Sequence, residues 1–411
     1  MRLLTFFIVI IITGCSEQKK AVKEYSFPPE WEPHEAVWID INDYWSPYSV
    51  KGQITTRLEI VKALHEKVTV KVLTTSDSLS NSLLEEMVQM SIDTSKIKMV
   101  IHPLPNNFIR DTGPIFLTNG DSLVMANWNW KCINLWCDET NNLRGTIDDS
   151  LASRFGYSVK SSPINYEGGA IVVNNHSALS ILDYALEQNE GKIPIEDIET
   201  SIKDLYGKDQ VIWLKGIPLI ERNGLKIENY FGAGADGHID ALVRFANDST
   251  LLVTTISEED KLKSPLQEHD YEIFQNYLKQ LQKAKRVNGM PFTIVEIPSP
   301  DISLHVGTLP ASVIWQLLEQ FSLTEQFSKE DMINYVPVMG YANYLVSNEV
   351  VLVSQYWEKG LPESEKRKDE NMIAILKKYF PNREIIGISA KALNWDGGGI
   401  HCSTQQEPRI N

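Results

Sequence analysis

Short apolar runs alternate with helix-like stretches from one end of the chain to the other, and this alternation limits the fold more than any other feature. The runs at 68–72, 115–117, 170–173, 211–214, 251–253 and 350–353 read as strands. Between them the spacing predicts helices over 55–67, 79–90, 194–206, 271–284, 312–321 and 365–379. Strands and helices interleaved in this way specify an α/β architecture rather than an all-β sandwich or a helical bundle. No glycine fingerprint of a dinucleotide site or P-loop follows any of these strands, so no nucleotide cofactor is indicated.

The chain has 411 residues, with 43% hydrophobic and 23% charged residues, as in an ordinary globular protein. Its formal net charge of −15 argues against nucleic acid or an anionic membrane surface as the main partner and suits a cationic substrate. At the start, Arg2 precedes an apolar run from Leu3 to Ile12 that is too short to span a hydrocarbon core of about 30 Å. It reads as a secretory signal. Ile12-Thr13-Gly14-Cys15 resembles a bacterial lipobox, which implies removal of residues 1–14, a lipid on Cys15, a polar tether over 15–25 and an exported, membrane-anchored protein. No linker or low-complexity tract divides the remainder, and about 390 residues is more than one core commonly supports, so either several domains or one large repeated architecture is expected over 26–411.

Export bears on the four cysteines, Cys15, Cys132, Cys137 and Cys402, because thiols outside the cytoplasm tend to pair. Cys132 and Cys137 are near enough in sequence to close a small disulfide loop, with two unpaired thiols as the alternative, since spacing does not fix bridge geometry. Cys402 is left over, an odd thiol behind Gly397-Gly398-Gly399-Ile400-His401. Glycines let backbone approach a ligand closely and can lift the following side chain into a cleft as a nucleophile. A turn beside an inert buried thiol is the plainer reading.

Polar groups recur beside the strands. They are Phe108-Ile109-Arg110-Asp111-Thr112-Gly113-Pro114, Glu167-Gly168-Gly169, Asp236-Gly237-His238-Ile239-Asp240, Gly340-Tyr341-Ala342-Asn343-Tyr344 and Cys402. On a strand, His238 and Asp240 would share one face. Taken singly, each reads as a turn, cap or core residue. Together they fall in separate segments, the pattern of a repeated module that donates one group per copy to a shared centre.

These motifs resemble those of the guanidino-group-modifying enzymes, specifically the agmatine deiminase and Porphyromonas-type peptidylarginine deiminase family. The matching stretches run from Pro28-Pro29-Glu30-Trp31-Glu32-Pro33-His34-Glu35-Ala36, through the Arg110, Glu167 and His238 segments, to 397–406. The resemblance implies an α/β propeller, or pentein, of five ββαβ modules around a pseudo-fivefold axis, here with an insertion near 302–335 and a lengthened segment at 222–231. It implies no cofactor and no metal. It implies that Asp111 and Asp240 hold a guanidinium, which paired carboxylates bind by charge-assisted bidentate hydrogen bonds. Cys402 would then attack the central carbon, His238 would serve as acid and base, Glu167 would orient His238, and Asn343 would support the site by hydrogen bonding.

Phe108 stands where the family usually has Trp, keeping a π face that is a weaker cation partner. Trp128 and Trp130 are candidates for the entrance. For the far end of the substrate, an amine would want an acid, Asp236 or Asp138, whereas a carboxylate would want Lys131 or Arg144. The substrate expectation is agmatine, with peptidylarginine or free arginine as alternatives, and a homo-oligomer is compatible with it. Three other classes compete: a zinc site of His238, Asp240, His401 and Cys402, a non-catalytic guanidino-binding lipoprotein, and a thiol amidase or protease.

Overall fold

The computed structural model describes residues 24–42, 52–103, 108–133 and 143–411. Cys15 and the expected leader, Cys137 and Asp138 lie outside these residues. Cys132 is disulfide-bonded. Among the described residues no helix is long and apolar enough to cross a membrane.

The interleaved pattern folds into a mixed α/β structure in which five sheets repeat one plan. Strands Ile115–Thr118 and Leu123–Asn127 are antiparallel, and Val159–Ser161 returns parallel to the second after the helix Ile147–Phe155. The same plan recurs in Val172–Val173, Ser177–Ile181 and Gln210–Leu214. It recurs in Val243–Asn247, Thr250–Thr255 and Thr293–Pro298, and again in Leu345–Val346, Val350–Ser354 and Glu384–Ile388. The fifth sheet joins the two ends of the described chain. Thr404–Pro408 pairs antiparallel with His34–Asp40, which runs parallel to Thr69–Thr74, itself parallel to Ile97–Ile101. That closure fixes Cys402, two residues before its strand, beside the first motif of the domain.

Local chemistry explains the elements. Val350–Ser354 is buried along its whole length, as expected of an apolar run covered on both faces. The helix Pro265–Lys283 begins with Ser264 accepting the Gln267 N–H and with proline in its first turn, and it buries Leu266, Phe274, Tyr277, Leu278 and Leu281 along one side.

Differences from the sequence expectation fall near the polar motifs. Gly168–Ala170 is a 3-10 turn, so only Val172–Val173 of that run pairs as a strand. His238 and Asp240 do not share a strand face, because Ile239–Ala241 is another 3-10 turn with His238 at its start. The stretch at 312–321 divides into Ala311–Ile314 and the helix Trp315–Gln320.

A sixth sheet stands apart from the repeated plan. It orders Asn223–Ile227, Tyr230–Ala233, Met332–Val336 and Gly307–Pro310, and so draws together the two segments expected to be insertions. It has its own small core of Phe231, Ile314, Leu317, Leu318 and Ile333. Tyr335 stacks on Trp395 with ring centroids 5.3 Å apart, which ties this sheet to the loop leading to Cys402.

Trp128 corrects the sequence expectation. It is 3% exposed, its indole N–H donates to Tyr206 at 2.8 Å, and it packs against Tyr166 and Tyr206 in the largest core, so it does not line an entrance. A large aromatic gains more from this burial than from a partly wet mouth, provided its N–H finds a partner. Replacing Trp128 by Ala should cost about 3–5 kcal/mol of stability, read as a lowered urea midpoint; a loss below about 1 kcal/mol would contradict this placement.

Candidate active site

Each polar motif sits at an end or turn of its module, and these ends converge. Cys402, His238, Asp240, Asn343 and the triple glycine line one cleft together with Glu221. Cys402 is free and 6% exposed, and Asn343 Nδ2 donates to its sulfur at 3.2 Å. The same amide's oxygen accepts the His401 main-chain N–H at 2.9 Å. A side chain on Gly399 would collide with that oxygen, and one on Gly398 would lie 2.5 Å from the Phe108 ring. The triple glycine therefore admits Asn343 and Phe108 against the thiol loop. The Arg57 guanidinium lies over the Phe108 ring, 5.7 Å from the ring centre.

His238 and Glu167 form a tight pair, Nε2 to Oε2 at 2.6 Å. Tyr184 donates to the same oxygen at 2.7 Å, and Trp130 donates to Oε1 at 2.5 Å. Trp130 thus serves this carboxylate rather than the core that takes Trp128. Burial alone would raise the Glu167 pKa, but the His238 hydrogen bond and charge outweigh it and hold the group below the usual carboxylate range. For His238, burial alone would lower the pKa, and Asp111 and Glu167 outweigh it, keeping the ring protonated well above its ordinary range.

Asp111 accepts the Gly169 N–H at 2.9 Å and stands 3.6 Å from His238 Nδ1. Burial pushes its pKa up to about 7 against the pull of His238. A methyl group on Gly169 would lie 2.7 Å from His238 Nδ1 and 2.8 Å from Asp111 Oδ1, so the second glycine of Glu167-Gly168-Gly169 leaves room for the acid and the base to meet.

Asp240 is held from behind. Its Oδ2 receives His401 Nδ1 at 2.5 Å and Asn343 Nδ2 at 3.3 Å. His401 Nε2 meets Glu30, whose other oxygen is bound by Arg244. Burial would raise the pKa of both acids, but for Asp240 the His401 hydrogen bond and charge outweigh it, and for Glu30 the Arg244 and His401 charges do, so both stay ionised. Both ring nitrogens of His401 are thus taken by carboxylate oxygens, Nδ1 by Asp240 and Nε2 by Glu30. Neither nitrogen is left to face the cleft, so His401 is not placed as a ligand of the zinc alternative that included it.

Four buried atoms of residues lining this cleft have no hydrogen-bond partner: Asp240 Oδ1, His238 Nδ1, Glu221 Oε2 and Asn394 Oδ1. Glu221 was not singled out from sequence, where an acid before Arg222-Asn223-Gly224 carries no distinguishing signal. The thiol of Cys402 is pushed well up by burial and by the charges of Asp240 and Asp111, with the Asn343 donor opposing. The arrangement presents an un-ionised thiol, a protonated imidazole and inward carboxylates, which would favour a bound planar cation and would ionise the sulfur once that cation arrives.

The cleft is tight, with about 10 Å³ of free space, room for about one water, so a larger ligand must part its walls. Beside it lies an outer cavity of about 370 Å³, lined by Tyr184, Glu187, Gln188, Asn223, Asp236, Phe321 and Ile133. Asp236 thus sits outside the cleft, on a left-handed residue whose carboxylate accepts the Asn223 N–H at 3.0 Å. Lys131 and Arg144 line neither space.

A profile described as the Porphyromonas-type peptidyl-arginine deiminase matches residues 26–408. An agmatine deiminase of Medicago truncatula is 22% identical, covering 94% of this chain and 97% of its own length. A solved agmatine deiminase of Enterococcus faecalis superimposes with a TM-score of 0.71 at 20% identity, covering 94% of this chain and 96% of that one. An agmatine deiminase of C. jejuni, solved with substrate bound, gives a TM-score of 0.69 at 21% identity, over 94% of this chain and 98% of that one.

Substituting Gly169 by Ala should lower kcat/KM by about 100-fold, because displacing reacting groups by about 1 Å has effects of that order. The fold should survive, as judged by an unchanged circular dichroism spectrum; full activity in this variant would show that the Asp111 and His238 approach is not required.

Proposed function

The chain belongs to the Porphyromonas-type peptidyl-arginine deiminase family, and we propose that it hydrolyses the guanidinium of agmatine to the ureido group of N-carbamoylputrescine with release of ammonia. The observation that carries this reading is the free, buried Cys402 in one cleft with His238 and with Asp240, whose Oδ1 is buried and unpartnered. A guanidinium offers five N–H donors and a positive charge, which complements such acceptors.

In the proposed reaction, Asp111 and Asp240 hold the guanidinium and Cys402 releases its proton to solvent as the cation arrives. The sulfur forms a bond to the central carbon. The tetrahedral adduct then expels one amino group as ammonia, with the departing nitrogen taking the proton of His238. The neutral ring next removes a proton from water, the hydroxyl adds to the thiouronium carbon, and the carbon–sulfur bond breaks to give the urea and free thiol. Glu167 keeps His238 oriented through both steps. Asn343 supports the sulfur, and the Phe108 ring offers the cation a π face.

The names carried by the relatives support agmatine over peptidylarginine. So does the lining of the outer cavity, which among the described residues includes Glu187 and Asp236 and no Lys or Arg. The guanidinium nearest in sequence, Arg222, is bound by both oxygens of Glu187 at 2.5 and 2.9 Å, and Asp236 is a second acid on the same cavity, of the charge that suits an amine. We further infer that the five repeated sheets are modules of an α/β propeller closed by the chain ends, and that the sequence at 3–15 supports export and lipid anchoring at Cys15.

Purified protein should release ammonia from agmatine, with peptidylarginine turned over far more slowly, and Cys402→Ala should abolish release while still binding agmatine. Ammonia release from none of agmatine, arginine or arginyl peptides would overturn the reading. The pH dependence follows from Asp111. Its pKa is raised, so its ionised, cation-binding form is lacking below about pH 7. Accordingly kcat/KM for agmatine should rise with pH through the neutral range; a fall across it would contradict the assignment.

A further inference from the structure

We propose that the enzyme takes guanidines longer than agmatine, of the polyamine type, in which the alkyl chain carries a second ammonium a few methylenes beyond the first and the outer cavity holds both cations. The inference rests on the deiminase reading above and extends it to a further class of substrate.

Volume is the first argument. Beyond its guanidinium, agmatine has four methylenes and one amine, which fill about 150 Å³ at roughly 30 Å³ for each water-sized group. The outer cavity offers about 370 Å³. More than half of it would stand unused, and a chain longer by three methylenes and an amine fits in the remainder.

The lining indicates what that longer chain carries. Asp236 is the inner anchor, the acid already matched to agmatine's own amine. It is held left-handed at φ 58, a conformation that residues with side chains seldom adopt, and burial raises its pKa to about 6. Beside it, Asn223 donates its main-chain N–H to Asp236 at 3.0 Å, while its own Oδ1 is buried with no partner. A buried acceptor left unmatched is costly, and an N–H donor of the ligand would satisfy it. Glu187 adds a third set of acceptors, because Arg222 takes one lone pair from each of its oxygens and a carboxylate has about four. Phe321 and Ile133 give the intervening methylenes apolar surface.

Two features separate this ligand from a peptide of similar bulk. A peptide backbone brings carbonyls that need donors, whereas Asp236, Glu187 and Asn223 Oδ1 are acceptors. The chain as a whole carries a net charge of −15, which favours a polycation at long range as well. The extra space is a product of the sixth sheet. Asn223 opens its first strand, and Phe321 follows the helix Trp315–Gln320 of the second inserted segment. A side chain on Gly224 would lie 2.2 Å from the Phe321 ring, so glycine lets the two segments close on this side of the cavity. The chemistry is unchanged: the bond from carbon to an unsubstituted nitrogen breaks, water supplies the oxygen, ammonia leaves, and both amines keep their protons.

The test measures ammonia release from agmatine, from agmatine bearing a 3-aminopropyl group on its amine, from n-nonylguanidine, which has that length without an amine, and from N-acetyl-arginine methylamide. The aminopropyl compound should exceed agmatine in kcat/KM by about 10-fold or more, the order expected of one further hydrogen bond to a charged group. Equal or poorer turnover of it would overturn the proposal, as would an equal gain by n-nonylguanidine or faster turnover of the blocked arginine. Asn223→Leu keeps the size and the main-chain N–H but removes the acceptor, and should cost the aminopropyl compound about 10-fold more than it costs agmatine. Equal losses would overturn the assignment. Should that variant fail to fold, Asn223→Asp replaces the acceptor by a charge and should widen the preference for the longer cation; an unwidened preference would also overturn it. Failure of the deiminase reading looks different, since the parent protein then releases ammonia from none of the four compounds.

Discussion

A buried histidine ring held between two carboxylates is the contact on which the rest of this site depends. His401 joins Asp240 to Glu30, and Glu30 is in turn gripped by Arg244. Arg244 also donates to the Ala342 and Tyr344 carbonyls at 3.0 and 2.8 Å, on either side of Asn343, and lies over the Tyr344 ring. One chain of charges thus fixes an acid from one module, an amide from another and the residue before the thiol. Removing any one partner would leave a charge buried and uncompensated, which typically costs several kcal/mol.

The arrangement divides the inward carboxylates into two kinds. Glu167 and Asp240 each meet a histidine ring and are held ionised. Asp111 and Glu221 are pushed upward by burial and lack a full counter-charge. In the empty site these two acids are therefore held largely protonated near neutral pH, and a cationic ligand is the partner that lets them ionise. The thiol obeys the same field: while the acids dominate, Cys402 remains a thiol, and an arriving cation shifts the balance toward thiolate. Substrate binding and nucleophile activation are then one electrostatic event.

Much of this was legible in the sequence. Alternating runs gave the α/β class, and the polar motifs beside glycines pointed to a shared centre, because a side chain pressed against another segment needs small neighbours. Other parts were not legible. Trp128 and Trp130 look alike two residues apart, yet one reaches Tyr206 in the core and the other reaches Glu167. Glu30 belongs to a recognisable motif, but its work, bracing His401, exists only once the ends of the domain meet. Glu221 had no signal at all, since its surroundings come from the Leu219 turn, the Asp270 carboxylate and the His238 main chain. The expected strand at His238 and Asp240 failed because a 3-10 turn, not a pleat, brings that histidine and acid to the cleft.

By itself the sequence determined the periodicity that selects alternating strands and helices, and the residue types available for chemistry: one odd thiol, one histidine beside an acid, and carboxylates next to glycines. Only the tertiary structure decided which acids were paired and which were left facing the cleft, which tryptophan was core, and how two distant segments formed a sixth sheet at the mouth. The physical reason is that periodicity is a local property of the chain, whereas desolvation and charge pairing depend on neighbours that are distant in sequence and meet only when the modules close.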